Sequence, residues 1–491
     1  MFGRLDIYSS FDEITEDNVI QELNSALVFH VRNMLQEEFL YWYRRGVQPI
    51  LSRTKDIRDD ILNIVQENHA DEFTAFKNGY FLTQPCSYVS RRKGVQTKLK
   101  KLNEYLYRSG KYDADNKTTD WFHMVGKGVT YVETNDDDNV PFKAYALDPR
   151  SAFVVYSLRP GNKPVFGVNF VTNEGVAKFD VFTETQVFHL TGTTTGRLIT
   201  VEKNHDYLAT ATTLDSTETN TLGHIPIIEY RYNSINMGCF EACIPILDEI
   251  NNVVSNACDG IEQFIQSLAV AVNCEFPEDT TINDIRRAGM IALRSVGENK
   301  ADFRILAEQL DQTQTKVLVD RLYDQALRIA AMPSRSEGGT TYDTTGAAVL
   351  ANFGWYQADA AARNTEDLFK ESNRQFDAII VDLLKRKKLL DIDLNDFELQ
   401  FVRNETANVQ SKAQAFQTLM AAGFHPELAA AKSGISSDPV KDMKMSEKYI
   451  KMVWGDPDKV DEEEQAGNGQ GEAQIIEDDA DNGENETGGA V

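Results

Sequence analysis

The 491-residue sequence is poor in cysteine, has no long hydrophobic run and carries no excess of positive charge. Its cysteines form no CxxC pair, which argues against a disulfide scaffold and a zinc site and fits a reducing compartment. The apolar run at 267–272 is far too short to span a membrane, and the N-terminus lacks the apolar stretch of a signal peptide. We therefore expect no disulfide framework, no metal site and no membrane association.

Motifs that carry catalysis are also missing from the sequence. The seven histidines form no HxxxH or HExxH pair, and neither a GxSxG elbow nor a dinucleotide fingerprint occurs. Lys127 lies in "MVGKGVTYVET", which lacks the upstream glycine and the Ser/Thr of a phosphate-binding loop and leads into a strand. The stretches from Asp113 and Asp391 begin like calcium loops but fail at positions six and twelve, and we predict turns there. No catalytic residue and no cofactor are expected; a nucleotide-using enzyme around Lys127 is the enzymatic alternative.

Negative charge dominates the chain and is concentrated at its C-terminus. The formal net charge is −26, and residues 456–491 carry thirteen Asp or Glu against the single lysine Lys459. With no aromatic residue to anchor it, this segment is predicted to be an acidic disordered tail. The remaining body has a charge of roughly −14, which excludes tight general binding to DNA phosphates but allows DNA to slide past without sticking.

Two basic clusters stand out on this acidic chain, "RRKGVQTKLKK" at 91–101 and "KRKK" at 385–388. They could contact nucleic acid or an acidic partner. The structural alternative, a solvated helix face and a helix C-terminal turn that favours cations, carries more weight.

Periodicity predicts an α+β fold. Apolar residues recur at helical spacing after Thr15 up to Gly46, and turn-separated strands fill the region 120–235. A short helix and two strands around "VGENK" should follow a long amphipathic helix that starts after Pro245. The other predicted helices cover about 55–78, 312–332, 346–390 with a possible kink at Gly354, 407–422, 426–432 and 438–453, with a strand at "DFELQFVRN".

A polar loop at 333–346 separates two of these helices and is longer than a connection between packed helices requires. Gly338 and Gly339 allow backbone conformations closed to other residues. The helices beside it are long and only half apolar, so they need lateral partners, which a ring of subunits would supply. From the residues alone, an ordinary mobile surface loop is the favoured interpretation.

Five stretches, taken together and in order, resemble the portal proteins of tailed bacteriophages. The resemblance covers about residues 20–455, and no single motif decides it. The stretches are the opening helix, "YWYRRGVQPILSRTK" (41–55), "NHADEFTAFKNGYFLTQPCSYV" (68–89), "YALDPRSAFVVYS" (145–157) and "IPIIEYRYNSINMGCFEACIPILDEINNVVSNACDGIEQF" (225–264).

The resemblance implies a portal fold whose long helices pack around a central channel in a dodecameric ring at the unique capsid vertex. Double-stranded viral DNA would pass through during packaging and ejection. The implied partners are the large terminase, scaffolding and major capsid proteins, and head-completion or neck adaptor proteins, with assembly in the host cytoplasm. The implied regions are a wing (1–244), a first stem helix (245–272), a clip (273–311), a second stem helix (312–332), a tunnel loop (333–346), a wing-spine helix (347–390), a crown (391–455) and the tail (456–491).

The resemblance also implies that the tunnel loop faces DNA in the channel. Its hydroxyl groups would bond water or phosphate without holding a charge, Arg335 would touch phosphates, and Glu337 and Asp343 would offset that attraction. The implied channel residues are Ser334, Arg335, Ser336, Glu337, Gly338, Gly339, Thr340, Thr341, Tyr342, Asp343, Thr344 and Thr345. The non-enzymatic alternative is a helical structural virion protein without a DNA channel.

Overall fold

The computed structural model describes most of the chain and divides it into two compact units, Met1–Ala407 and Asn408–Val491. The described residues are 3–55, 60–92, 94–199, 204–265, 268–272, 274–275, 294–295, 302–306, 312–334, 354–401, 409–436, 442–446, 449 and 452. Most of the predicted clip, nearly all of the predicted tunnel loop and the acidic tail therefore lie outside the described residues.

The described elements confirm the α+β class. The helices are α1 (Val19–Arg44), α2 (His69–Phe81), α3 (Gln96–Arg108), α4 (Lys111–Val125), α5 (Ile244–Ile265), α6 (Gln312–Ile329), α7 (Trp355–Arg386), α8 (Val409–Ala421) and α9 (Pro426–Ser433). The strands are β1 (Ile7–Ser9), β2 (Ser87–Ser90), β3 (Lys127–Thr134), β4 (Phe142–Leu147), β5 (Ala152–Ser157), β6 (Pro164–Asn173), β7 (Val176–Phe182), β8 (Gln186–Ile199), β9 (Asn204–Thr219), β10 (Ile227–Arg231), β11 (Leu268–Val272), β12 (Cys274–Glu275), β13 (Arg294–Ser295), β14 (Asp302–Leu306) and β15 (Phe397–Gln400).

A six-stranded sheet in the order β1-β5-β6-β7-β8-β9 forms one core of the first unit. Only β1 pairs in parallel, with β5; the other neighbours are antiparallel. Apolar residues at alternate positions, such as Ala177, Phe179 and Val181 of β7, point into the core. Helix α1 covers them with residues at helical spacing, among them Leu23 and Leu27.

Helix α7 is buried in a second core, against α3, α4 and the three-stranded sheet β10-β3-β4. Phe369 and Phe376, seven residues apart on one face of α7, are both fully buried. The strand β15 pairs antiparallel with β2, although it lies in the segment assigned to the crown. Strand β15 therefore belongs to the first unit, and the crown boundary at 390/391 stays a prediction.

The structure corrects several predicted elements. The segment from Asp113 to Trp121 is helical rather than a turn, because Gly110 and Gly126, with φ of +78° and +91°, bound a helix there. Its inward face is polar, so the apolar period is weak; Thr118, for example, bonds the Thr130 hydroxyl at 2.8 Å. The threonine-rich strand β9 has little apolar alternation and lies at the edge of its sheet.

The predicted first stem helix is too long and the pairing around "VGENK" is different. Helix α5 ends at Ile265, and the apolar run that follows forms β11. Strand β11 pairs with β14, and β12 pairs with β13 between them, so the strand pairs are nested. The predicted second stem helix likewise ends at Ile329 rather than at 332.

The helix predicted at 55–78 is confirmed only in part, because α2 begins at His69 and residues 61–68 form neither helix nor strand. We call residues 61–67 the strap. The strap lies along α5, whose side chains bond its backbone at every second residue. Glu67 N–H donates to Asn251 at 2.8 Å, Val65 N–H to Ser255 at 3.0 Å and Asn63 N–H to Asp259 at 2.7 Å.

The spacing of the two elements explains this ladder. Two residues of extended chain rise about 6.6 Å, and four residues of helix rise about 6.0 Å. Residues 251, 255 and 259, four apart on one face of α5, therefore meet alternate amides of the strap. Each buried amide that would otherwise lack a partner is satisfied, and each bond contributes about 1 kcal/mol.

Asp259 also neutralises two cations at the far end of the strap. Arg53 binds it at 2.9 Å and Lys55 binds the same carboxylate. Burial would raise the pKa of Asp259, but the hydrogen bonds from Lys55, Asn63 and Arg53 outweigh it and hold this pKa at about 2. Ionised Asp259 therefore stabilises the folded state at neutral pH.

We predict that Asp259→Asn lowers the free energy of unfolding at pH 7 by about 2 kcal/mol, since the folded pKa lies about two units below the unfolded value of about 3.9. A depressed folded pKa gives stability that is complete above the unfolded pKa and is lost as the pH falls towards 2. The difference between the wild type and the variant should therefore shrink from pH 4 to pH 2 in urea unfolding.

Asp113→Asn is the matched control, because Asp113 pairs with Lys117 at a site where both side chains are largely exposed. Its effect should stay below about 0.5 kcal/mol. Equal effects of the two variants, or a difference independent of pH, would contradict the role of Asp259.

Candidate functional site

The predicted site is the polar loop, and the structure describes the two ends from which it leaves. Among the predicted channel residues, Ser334 is described, while residues 335–345 lie outside the described part of the chain. On the other side the described chain resumes at Gly354, where α7 begins. The helix predicted from 346 therefore does not run unbroken through Gly354, whose φ is +78°.

The first end is fixed by a tight turn after α6. Ala331 has a φ of +49°, and the Met332 N–H reaches back to the Leu327 carbonyl at 2.8 Å. This turn buries the Met332 side chain in a core shared with α5. Ser334 donates to Asp324 at 3.1 Å. The chain is therefore held to α6 up to Ser334, the last described residue before the loop.

The second end lies directly against the first. A methyl group added to Gly354 would stand 3.6 Å from the Met332 carbonyl oxygen and 3.7 Å from the Pro333 Cα. The positive φ of Gly354 suits glycine and strains other residues. Residues 335–353 thus depart from and return to one place on the surface of the first unit.

Helix α2 contacts both ends and holds them together. The Lys77 ammonium donates to the Ala331 carbonyl at 2.9 Å. One turn of α2 also presents Phe76 and Tyr80 to the Trp355 ring, with centroid distances of 6.2 and 6.0 Å. The anchor of the loop is therefore a cation–carbonyl bond on one side and an aromatic cluster on the other.

Lys77 is an unusual choice for this position because it is buried, with 7 % of its surface exposed. Burial lowers the pKa of its ammonium to about 8. The Ala331 carbonyl, in the turn that follows α6, supplies the acceptor for this charge. A lysine on the otherwise mostly apolar, inward face of α2 is the sequence signal for this anchor, but the sequence does not show which group it contacts.

His69 links the strap and the start of α2 to α6. Its two ring nitrogens lie 2.9 Å from Glu67 and from Glu72, and its ring packs on Tyr323 of α6. Tyr323 donates to Glu72 at 2.9 Å. Burial lowers the pKa of His69, but the two carboxylates outweigh burial and raise it, so the charged ring is the favoured partner of both acids.

The alternative site around Lys127 has a different environment from a nucleotide site. Lys127 is buried, and its ammonium lies 2.9 Å from Asp6 and 2.8 Å from Glu229. Two carboxylates therefore take the charge that a phosphate would need. Gly126 ends α4 in a left-handed conformation before β3 begins, in agreement with the predicted turn.

The two basic clusters come together at the C-terminal end of α7, where the chain itself supplies their partners. Lys98 and Lys101 of α3 donate to the Asp391 and Leu389 carbonyls, at 2.5 and 3.0 Å. Arg91, Arg92 and Lys385 pair with the carboxylates of Glu398, Asp396 and Asp393. These contacts favour the structural interpretation over a nucleic-acid surface.

No metal or membrane element accompanies the anchor in the described part of the chain. The residues described there include no group of His, Cys, Asp or Glu arranged to hold a metal ion. They also include no helix long and apolar enough to cross a membrane. Four described cysteines, Cys86, Cys239, Cys243 and Cys258, are free thiols.

We predict that Lys77→Met changes how stability depends on pH. Below pH 8 Lys77 is charged in both states and the folded state bears the cost of burying it. Between pH 8 and about 10.4 it is neutral only when folded. The free energy of unfolding of the wild type, relative to that of the variant, should therefore rise by about 2 kcal/mol from pH 7.5 to pH 9.5, measured by urea unfolding.

Lys101→Met is the control, since this exposed lysine also donates to a backbone carbonyl. Its difference from the wild type should stay flat over the same pH interval. A flat difference for Lys77→Met as well would mean that Lys77 is not a buried charge.

Comparison with known proteins identifies the family to which this chain belongs. The chain resembles a solved structure described as "Neck of empty GTA particle computed with C6 symmetry", over 76 % of this chain and 91 % of that one, with 12 % identity and a TM-score of 0.40. No curated protein matches the chain. The family model "Phage portal protein, SPP1 Gp6-like" matches residues 33–452. This match runs from the second half of α1 to the last described helical residue and includes the loop with both of its ends, so the chain belongs to the SPP1 Gp6-like family of phage portal proteins.

Proposed function

We propose that the chain is the subunit of a dodecameric portal ring at the unique capsid vertex, and that double-stranded viral DNA passes through its channel during packaging and ejection. The observation that carries this proposal is the anchor described above: residues 335–353 leave and return at one point, which α2 holds from both sides. A loop fixed in this way can project towards a moving polymer while its base keeps its position.

The composition of the loop suits contact with DNA that must not be held. Ser336, Thr340 and Thr341 supply hydroxyl groups for water or phosphate, and Arg335 supplies the cation nearest to the described end. Glu337 and Asp343 reduce the net attraction. On a body with a charge of roughly −14, such a loop would touch phosphates weakly and reversibly.

The proposal assigns the other regions of a portal subunit to the described elements as follows. The wing is the part of the first unit built on the two larger sheets, with α7 as its spine, and α5 and α6 are the stem helices. The segment between them, which contains the nested strands β11 to β14, is the clip and the docking site for the large terminase and the neck or head-completion proteins. The crown begins in the second unit, after 408.

The proposal assigns no reaction to this chain. The energy for DNA movement would come from ATP hydrolysis by the separate terminase, and Lys127 is already paired with two carboxylates. Scaffolding and major capsid proteins would place the ring at the vertex during assembly in the host cytoplasm. Hydrolysis of ATP by the purified chain alone would contradict this division.

We predict that deleting residues 337–344 leaves assembly intact and impairs packaging. The ends at Pro333 and Gly354 are adjacent, so a shorter loop can still close without moving the anchor. Particles carrying the shortened chain should contain about ten-fold less nuclease-resistant DNA than wild-type particles. The measurement is the DNA content per particle, with capsids counted by electron microscopy.

Two controls separate the chemistry of the loop from its length. A glycine–serine segment of equal length in place of 337–344 tests the side chains, and Arg335→Ala is compared with Arg363→Ala, an exposed arginine on α7. Normal DNA content in the shortened chain would remove the tunnel-loop assignment. It would favour the structural virion protein without a channel.

A further inference from the structure

Helix α1 has a second apolar face, opposite the one that covers the six-stranded sheet. Leu23, Leu27 and His30 point into the molecule, whereas Val28, Leu35 and Phe39 are 72, 39 and 38 % exposed. At 100° per residue, positions 28, 35 and 39 lie within about 40° of one another. We call the surface formed by Val28, Phe29, Leu35 and Phe39 the outer face of α1.

The apolar surface continues beyond the helix into the strap. Asn68 donates to the Arg44 carbonyl at 2.7 Å and Gln66 to the Gly46 carbonyl at 2.6 Å, which joins the end of α1 to the strap. Arg53 donates to the Asn63 carbonyl at 2.7 Å, which places the short helical turn at Pro49–Ser52 beside the strap. The exposed apolar residues along this path are Val47, Leu51, Leu62 and Ile64.

The area of this surface is that of an interface. With roughly 150–200 Å² for a whole side chain, the outer face of α1 exposes about 350 Å², and the continuation roughly doubles this. Exposed patches above a few hundred Å² mark interaction sites. About 800 Å² per partner is buried in a standard stable interface.

The charge of α1 indicates what covers this face. Each of its three acids, Glu22, Glu37 and Glu38, is buried, so the helix exposes no carboxylate although the chain contains 76 acidic residues. Arg32 and Arg45 are exposed on the same helix and just after its end. The α1 part of this surface therefore exposes no carboxylate on a chain of charge −26, which makes it complementary to an identical, acidic chain.

We propose that the outer face of α1, with its continuation into the strap, is the surface by which one subunit packs on its neighbour in the ring. This inference rests on the proposed function and gives the subunit contact a location. The contact is heterologous, with this face of one copy against a different, acidic surface of the next, as a closed ring requires. Apolar burial supplies the attraction that two negatively charged subunits need in order to associate.

The test is Leu35→Glu combined with Phe39→Glu in the full-length chain. Both side chains are more than a third exposed, and Phe39 also contacts the Tyr43 ring, so the variant should fold with at most a modest loss of melting temperature. A carboxylate buried against an acidic neighbour opposes assembly. The fraction of assembled rings, measured by mass photometry and electron microscopy, should fall by at least about ten-fold. The control is Leu158→Glu combined with Val171→Glu, two apolar residues outside this face that are 66 and 64 % exposed; it should assemble like the wild type.

A second measurement needs no disruptive change. A photo-crosslinking phenylalanine analogue at position 39 should join two copies of the chain in the assembled fraction. Two results together would overturn the proposal and leave the portal function standing. They are rings of normal abundance from the double variant, and no crosslink between copies that carry the analogue at position 39. Normal rings that fail to enter capsids would assign the face to another virion protein and would overturn it too.

A wild-type chain that stays monomeric at every concentration, with no crosslink at position 39, would also count against this interface. The shortened-loop experiment measures packaged DNA and does not depend on which surface joins the subunits. A failure of the interface and a failure of the portal function are therefore distinguishable.

Discussion

The arrangement of the helices depends on the match between an extended chain and a helix. The strap offers an amide about every 6.6 Å, and Asn251, Ser255 and Asp259 offer acceptors about every 6.0 Å along α5. Because backbone amides in the interior must be bonded, this match fixes α5 relative to the end of α1 and the start of α2. Helix α6 packs on α5, so the place from which the polar loop leaves follows from the same ladder.

Helix α2 then fixes the positions of the two chain ends from which the polar loop departs. Lys77 bonds the end of α6, and Phe76 and Tyr80 contact the start of α7. The contacts differ in kind: the first is electrostatic and directional, the second apolar and broad. Together they allow a polar, charged segment to be inserted between two long helices without disturbing the cores on either side.

The sequence predicted the elements whose apolar period was strong. Helices α1 and α7 and most strands of the large sheet follow from residues such as Leu23, Phe179 and Phe376. Prediction failed where polar side chains form the buried contacts. The strap was taken as helix because its acceptors lie nearly 190 residues away, and α4 was taken as a turn because Thr118 and Asp115 lie on its buried side. The loop was recognisable from its composition, but the anchor was not, since Lys77 acquires its role only through contact with Ala331.

The nested pairing of β11 with β14 and of β12 with β13 has an evolutionary consequence. A segment that departs and returns through adjacent antiparallel strands joins α5 and α6 through this paired base. Insertions, deletions or exchange of the tip would leave the register of the base pairs intact. Two related viruses could thus keep the same helical framework while the sequence of this tip changes to fit different binding partners.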